Sequence, residues 1–263
     1  MNLGLAGRTA LVCGGSRGIG RAIASRLAEE GAQVAICARN GAALRETARA
    51  IAVATGPEVV AIEADLANPP AARALFEEAT ARLGRIDILV NNCGGPPVVT
   101  LAELGPETWT PALQAGLLSA VQLIQLAVPG MAERGWGRIL NIGSTTIQEP
   151  TEALLLSSTI RPALAAFSKA IAARLAPRNV LVHTLCPGPT DTDRMRNLVR
   201  SLAEKNGMSP AEAERTLTQN VPMARLGAAS EIADVAACLL SDRLSFCTGL
   251  CLRVDGGQVR SWS

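Results

Sequence analysis

The stretch CGGSRGIG, residues 13–20, decides the fold of this 263-residue chain. It follows an apolar run at 9–13 and opens a segment, 17–30, in which apolar residues recur every four positions. This order predicts a strand, a glycine-rich turn and an amphipathic helix. Glycines let the backbone turn sharply and approach a phosphate, and the helix N-terminus offers it free N–H groups. A tight turn that binds nothing is the alternative.

The same alternation of short apolar runs and longer helical patterns continues to the end of the chain. It predicts a single α/β domain over 1–263, with a doubly wound, parallel, seven-stranded sheet (a Rossmann fold). Residues 192–221 are charged, helical and without a strand, and we expect a substrate lid there, with an inert insertion as the alternative. The further predicted strands are 33–38, 59–63, 85–91, 138–142, 180–186 and 251–254, and the further helices 41–55, 69–83, 106–134, 153–176 and 228–240.

Composition excludes several classes of function. The chain has 25 Lys+Arg against 23 Asp+Glu, so its charge gives no reason to expect nucleic acid or a membrane as partner. Its one histidine, His183, excludes a multi-histidine metal site, and we expect a structural residue there. The chain has no Tyr, which excludes a phenol as general acid. Seven cysteines without a C-x-x-C pair, and no signal peptide, predict a cytoplasmic protein.

Four motifs resemble the short-chain dehydrogenase/reductase family, and the resemblance covers essentially the whole chain. Residues 13–20 match its glycine motif with Cys in place of Thr, and 91–94 (NNCG) match N-N-A-G after the fourth strand. Residues 186–192 match its Pro-Gly motif, and 225–257 resemble its carboxyl-terminal signature. The resemblance implies a dinucleotide-dependent oxidoreductase that acts on a small molecule and forms a homotetramer or homodimer.

The residues after the second strand bear on which dinucleotide is bound. An acid there would hydrogen-bond the ribose hydroxyls of NAD, but this chain has Arg39, which can pair with a 2′-phosphate, and Arg17 could assist. We therefore expect NADP over NAD, unless both arginines are solvated surface groups. The cofactor positions that follow from the motifs are Gly14, Ser16, Arg17, Gly18, Ile19, Gly20, Arg39, Asp65, Leu66, Asn91, Cys93, Gly94, Arg161, Pro187, Gly188, Thr190 and Thr192.

The catalytic positions are where the chain departs from the family, whose members use Ser, Tyr, Lys and Asn. Ser144 fits the family Ser at the end of the fifth strand. The usual spacing then places Ser157 at the Tyr position, Arg161 at the Lys position and Gly116 at the Asn position. One helical turn separates Ser157 from Arg161, so both share a helix face, and the resemblance implies that Arg161 reaches the nicotinamide ribose.

These substitutions leave two functions open. A serine hydroxyl is a far weaker acid than a phenol, and Arg does not release a proton near neutrality. In the first interpretation the protein is an NADP-dependent oxidoreductase. Its Ser144, Ser157 and Arg161 polarise a carbonyl, and water or substrate supplies the proton. The alternative is a cofactor-binding protein without reductase activity, a sensor or an assembly partner. The expected lid favours an apolar or bulky substrate through Leu198, Leu202, Met208, Leu217 and Met223.

Overall fold

The computed structural model describes residues 1–261, and its main sheet has seven parallel strands in the order β3-β2-β1-β4-β5-β6-β9. The order reverses between β1 and β4, which opens a crevice at the carboxyl ends of these two strands. A separate parallel pair is formed by β7 and β8. The strands are β1 (Thr9–Cys13), β2 (Gln33–Ala38), β3 (Val60–Glu63), β4 (Ile88–Asn91), β5 (Gly137–Ile142), β6 (Val180–Pro187), β7 (Thr190–Asp191), β8 (Gly227–Ala228) and β9 (Cys251–Val254).

Helices cover both faces of this sheet. The helices are α1 (Gly18–Glu29), α2 (Gly41–Thr55), α3 (Ala71–Leu83), α4 (Pro106–Leu113), α5 (Ser119–Glu133), α6 (Leu155–Leu175), α7 (Asp193–Asn206), α8 (Pro210–Thr218) and α9 (Ala229–Leu240). One core cluster joins α1, α2 and α9 to the sheet, and a second joins α3, α5 and α6 to its other face. The predicted doubly wound α/β fold is therefore confirmed.

The predicted helix at 106–134 is interrupted in the structure. A π-helical turn at Gln114–Leu118 separates α4 from α5. Turns of this kind are rare and often lie at functional sites, and this one contains Gly116. The stretch Pro106–Glu133 is long and apolar enough to cross a membrane by length and composition. Within the fold, however, Leu123 and Met131 are fully buried against the sheet, as in a core helix.

The segment 192–221 contains the helices α7 and α8, which pack on each other. The strand β7 directly precedes this segment and pairs with β8, which follows the segment a few residues later. Of the five apolar residues expected to face a substrate, Leu202, Met208 and Leu217 pack instead into a small core between the two helices. Only Leu198 and Met223 are exposed. The segment therefore has its own packing, and its apolar composition is mostly explained by that packing.

His183 is fully buried in β6, on the face that also holds the side chain of Arg138. We expected a structural histidine there. Neither ring nitrogen has a hydrogen-bond partner within the part of the chain that the structure describes. Burial first, and then the charge of Arg138, lower the pKa of His183 to about 4. The neutral ring is therefore the form that the fold accepts.

We predict that His183 makes the protein sensitive to acid. The unfolded chain takes up the proton near pH 6.5 and the folded chain only near pH 4, so stability is lost as the pH falls between these values. The loss should reach about 3 kcal/mol. His183→Leu removes this titration, so the difference in unfolding free energy between variant and wild type should grow on going from pH 7 to pH 4. Urea denaturation at both pH values measures it, and a constant difference would contradict the prediction.

Candidate active site

The glycine-rich turn packs tightly against the loop after β4. Gly14 and Gly18 have φ values of +63° and +55°, in the left-handed region that favours glycine. A Cβ on Gly14 would lie 2.3 Å from the carbonyl oxygen of Asn92, and one on Gly20 would lie 2.2 Å from the carbonyl oxygen of Gly14. Glycine is required at 14 and 20 because no side chain fits between these backbone segments. The turn is therefore built by close packing, as the spacing of the glycines predicts.

The N-terminus of α1 is open to an anion. Arg17 stands at the N-cap, and its side chain makes no capping hydrogen bond. The first N–H groups of the helix are thus left for an external acceptor. Gly18 lies against Thr192, and a Cβ on Gly94 would meet no atom within 4 Å. These residues fit a dinucleotide, since the phosphate-binding turn, the loop after β4 and the loop after β6 meet around open space.

Two arginines flank this crevice. Arg17 and Arg39 are exposed, and neither forms an ion pair within residues 1–261. Asn40, the next residue, accepts a hydrogen bond from the N–H of Ala43 and caps α2. Arg39 is thereby placed at the end of β2, on the crevice edge, with its charge unpaired. This arrangement is compatible with the expected contact to a 2′-phosphate.

The remaining cofactor positions divide into exposed and buried groups. After β3, Asp65 is exposed and accepts from the N–H of Ala67, whereas Leu66 is buried. Asn91 is buried and donates from Nδ2 to Oδ1 of Asn141 at 2.7 Å, so its amide ties β4 to β5. Ser16 offers its carbonyl oxygen to Thr47. Asn91 thus has a positioning contact that the motif alone does not reveal.

The loop after β6 is shaped by close backbone contacts. A Cβ on Gly188 would lie 2.7 Å from the Cα of Asp255, and Pro187 ends the strand. Thr190 donates to the carbonyl oxygen of Gly188 at 2.9 Å. Thr192 caps α7 by accepting from the N–H of Met195. The hydroxyl of Thr190 therefore stabilises the loop, and the hydroxyl of Thr192 stabilises the start of α7.

The three predicted catalytic residues come together near the carboxyl end of β5, where Thr146 links them to one another. Ser144 accepts from the N–H of Thr146 at 3.2 Å. The Thr146 hydroxyl lies 3.3 Å from the hydroxyl of Ser157, and Nε of Arg161 donates to that same hydroxyl at 3.1 Å. The expected pairing of Ser157 with Arg161 on one helix face is present. Thr146, which joins this pair to Ser144, was missed because nothing in its local sequence marks it.

Arg161 also holds the backbone of β5. Its Nη1 donates to the carbonyl oxygens of Ile142 and Gly143 at 2.5 and 2.7 Å. Burial lowers the pKa of this guanidinium, and within residues 1–261 no carboxylate forms an ion pair with it. The sequence predicted a contact with the cofactor ribose. In the structure Nε donates to Ser157 and Nη1 donates to the backbone at the end of β5. The third nitrogen, Nη2, makes no hydrogen bond with the described residues.

Two further positions bear on the expected alignment with the family, Lys169 and Gly116. Lys169, two turns further along α6, lies against Gly249, near the start of β9. At Gly116, where the spacing places the family Asn, a Cβ would lie 2.8 Å from Cγ2 of Ile160. Glycine therefore lets α6 pack closely on the π-helical turn, and an asparagine there would displace Ile160.

Cysteines surround the same region. Cys93 follows β4, and burial raises the pKa of its thiol to about 11. Cys186, at the end of β6, is fully buried, and its Sγ would lie 3.0 Å from a Cβ on Gly143. Exposed Cys251 in β9 has its Sγ 3.4 Å from that of Cys186 and also accepts from Nε2 of Gln148. The sequence showed no such pair, because 65 residues separate the two cysteines.

A side chain of α7 reaches across the crevice. Nη2 of Arg194 donates to the carbonyl oxygen of Pro96 at 2.9 Å, and its guanidinium lies where a Cβ of Gly95 would be. Burial lowers the pKa of Arg194. The segment 192–221 is thus connected to the loop after β4. Sequence reasoning missed this contact, since an arginine in a charged helix is ordinarily solvated.

Comparison with known proteins identifies the family. A family model described as enoyl-(acyl carrier protein) reductase matches residues 14–258. The NADPH-dependent reductase BacG of Bacillus subtilis is 33% identical over 97% of this chain and 98% of its own. The chain belongs to the short-chain dehydrogenase/reductase family. A 3-oxoacyl-[acyl-carrier-protein] reductase of Aquifex aeolicus is 32% identical over 98% of this chain and 100% of its own.

Solved structures of this short-chain dehydrogenase/reductase family superpose closely on the chain. L-sorbose reductase of Gluconobacter frateurii, determined with NADPH and L-sorbose, has a TM-score of 0.95 and 30% identity. The match covers 99% of this chain and 100% of that one. The family resemblance of the sequence is thereby confirmed over nearly the full length of the domain.

Proposed function

We propose that the protein is an NADP-dependent oxidoreductase that transfers a hydride between nicotinamide and a carbonyl or alcohol through an atypical Ser-x-x-x-Arg site. The observation that supports the proposal is the hydrogen bond of Arg161 with Ser157, at the carboxyl end of β5, which Ser144 follows. A guanidinium fixed in this way presents positive charge, and no carboxylate among residues 1–261 forms an ion pair with it. Fixed charge of this kind stabilises the negative charge that develops on a substrate oxygen.

The open crevice supports NADP as the cofactor. BacG is named as NADPH-dependent, and the sorbose reductase structure contains NADPH. In this chain the uncapped N-terminus of α1 would hold the pyrophosphate, and Arg39 with Arg17 would bind the 2′-phosphate. Bound NADPH would supply the hydride.

The chain's own residues would polarise the carbonyl and hold the product oxygen. Ser144 uses its oxygen to accept from the N–H of Thr146, so its O–H remains free to donate to a substrate oxygen. Ser157 accepts from Arg161, which orients a second hydroxyl at the same place. Neither group releases a proton readily, and water would supply it. Loss of a general acid typically costs about 10²–10⁴-fold in rate, so we expect slow turnover.

We further propose that 192–221 acts as the substrate lid. The contact of Arg194 with Pro96 supports this assignment, because it connects the segment to the loop beside the crevice. A cavity of about 590 Å³ lies at the base of the segment, lined among others by Val199, Pro210 and Leu226.

The alternative function is cofactor binding without reduction, and one assay separates the two. NADPH fluorescence first measures binding, and NADPH oxidation is then followed with a panel of ketones, aldehydes, β-keto esters and enones. Turnover that depends on Ser144 supports the oxidoreductase. Firm NADPH binding with no turnover on any of these compounds would leave the sensor or assembly function.

The cofactor preference has its own test. We predict that Arg39→Asp raises the Kd for NADPH by about 10–100-fold, because a charge-assisted hydrogen bond is lost and a repulsive charge replaces it. The Kd for NADH should not rise. Fluorescence titration of both nucleotides measures the ratio. Arg49→Asp, an exposed change further along α2, is the matched control, and an unchanged ratio in Arg39→Asp would refute the charge argument.

We also propose a cytoplasmic homodimer or homotetramer. The seven cysteines are all free in the structure, which suits a reducing compartment. Light scattering of the purified protein tests the oligomeric state.

A further inference from the structure

Two thiols meet beside the proposed active site, on adjacent strands of the sheet. Cys186 in β6 and Cys251 in β9 have their sulfur atoms 3.4 Å apart. Thr184 stands directly opposite Cys251, so the two cysteines are diagonal neighbours on one face of the sheet. We propose that Cys186 and Cys251 form a peroxide-sensitive thiol pair that closes to a disulfide and inhibits the enzyme reversibly.

The two thiols differ in a way that assigns their roles. Cys251 is exposed, and the hydrogen bond from Cys186 is the largest cause that lowers its pKa, to about 7, with Gln148 adding a second donor. Cys186 is fully buried, and its partnership with Cys251 raises its pKa. Cys251 is thus the thiolate that an oxidant reaches first, and Cys186 is the resolving thiol.

The reaction balances with hydrogen peroxide as the oxidant. The Cys251 thiolate attacks one peroxide oxygen, so an S–O bond forms, the O–O bond breaks, and the departing hydroxide leaves as water after protonation. The Cys186 sulfur then attacks the sulfenic acid, so the S–S bond forms and the S–O bond breaks. The second oxygen leaves as water with the Cys186 proton. Two thiols lose two electrons, and the peroxide is reduced to two waters.

Geometry makes this disulfide labile. The sulfurs must move from 3.4 Å to about 2.05 Å, and the two cysteines are diagonal, not directly opposite, on β6 and β9, so the backbone must shift for the bond to form. Cys251 is the first residue of β9, and β9 is the edge of the sheet, so this side can shift toward β6. A strained, exposed disulfide is readily reduced by thiols, which makes the change reversible.

Formation of the disulfide would disturb the proposed active site through two connections. Cys186 directly precedes Pro187 and Gly188 of the cofactor loop and lies against Gly143, the neighbour of Ser144. Movement of Cys251 would also remove the sulfur atom that accepts a hydrogen bond from Gln148, in the loop after β5. A displacement of about 1 Å in an active site can cost about 10²-fold in rate. This inhibition rests on the proposed function, whereas formation of the disulfide does not.

The test treats the full-length protein with hydrogen peroxide at neutral pH and maps its disulfides by mass spectrometry. We expect a peptide pair linked through Cys186 and Cys251, together with a fall in NADPH-dependent turnover of about 10–10²-fold, both reversed by dithiothreitol. Cys251→Ser and Cys186→Ser should each prevent the link and the inhibition. Cys238→Ser, an exposed cysteine on α9, is the matched control and should respond as the wild type does.

Other outcomes would overturn the proposal. Cys13 and Cys37 are directly opposite each other in β1 and β2, but both are buried and should remain reduced. A link between these two, or oxidation of Cys251 that never joins Cys186, would refute the pairing. A disulfide at 186 and 251 that leaves turnover and NADPH affinity unchanged would refute the inhibition. If the protein shows no turnover, disulfide mapping still tests the pairing of Cys186 with Cys251, and NADPH titration still tests whether the disulfide disturbs the site.

Discussion

Arg161→Met is expected to lower kcat/KM for carbonyl reduction by about 10²–10³-fold, because it removes the fixed positive charge that we propose stabilises the substrate oxygen. Ser157 would lose the donor that orients its hydroxyl, and the carbonyl oxygens of Ile142 and Gly143 would lose a partner. Unpaired buried acceptors cost about 1–3 kcal/mol, so the unfolding free energy should fall as well. Steady-state NADPH oxidation and urea denaturation measure the two effects.

Two further variants separate charge from support of the strand. Arg161→Lys keeps the charge but replaces the planar fork with a single ammonium, so we expect a smaller loss of turnover. Arg174→Met changes an exposed arginine near the end of the same helix and should alter neither quantity. A folded Arg161→Met protein that turns over as fast as the wild type would show that Arg161 serves the fold alone.

The fold was predictable because its signals are local. Each central strand is a short apolar run buried on both faces, as the pattern TALVC in β1 illustrates, and such runs between helices specify a parallel sheet. Errors occur where side chains override the pattern. The predicted strand at 85–91 begins only at Ile88, since Asp87 is buried and accepts from Arg85 and from the backbone of Thr9.

The site was predictable only where spacing along one helix or one turn sets the contact. Ser157 and Arg161 meet because one helical turn separates them. The link from Ser144 through Thr146, the attachment of Arg161 to β5 and the contact of Cys186 with Cys251 are tertiary contacts. Composition and periodicity carry no information about which turn of a helix lies over which strand end, so these contacts required the structure.

Ser144→Ala should lower kcat by about 10²–10³-fold and leave the Kd for NADPH nearly unchanged. The reason is that Ser144 is proposed to donate to the substrate oxygen, whereas in the proposed site the phosphates would be held at the far side of the crevice by α1 and Arg39. The same hydroxyl oxygen also caps the short helix Thr145–Ile147 by accepting from the N–H of Thr146. Loss of a cap costs about 0.5–2 kcal/mol, so reduced stability alone could imitate a catalytic defect.

Ser144→Asn separates the two roles, because the amide oxygen can still accept from Thr146 while the hydroxyl is lost. If Ser144 orients the substrate, this variant should be as stable as the wild type and as slow as Ser144→Ala. Ser144→Thr, which keeps a hydroxyl, should retain more turnover than either. Ser158→Ala, at a half-buried serine of α6 that bonds the backbone of Thr151, is the matched control for removing a hydroxyl. Full turnover in Ser144→Asn would assign Ser144 to the helix cap, and the hydroxyl of Ser157 would then be the group that faces the substrate.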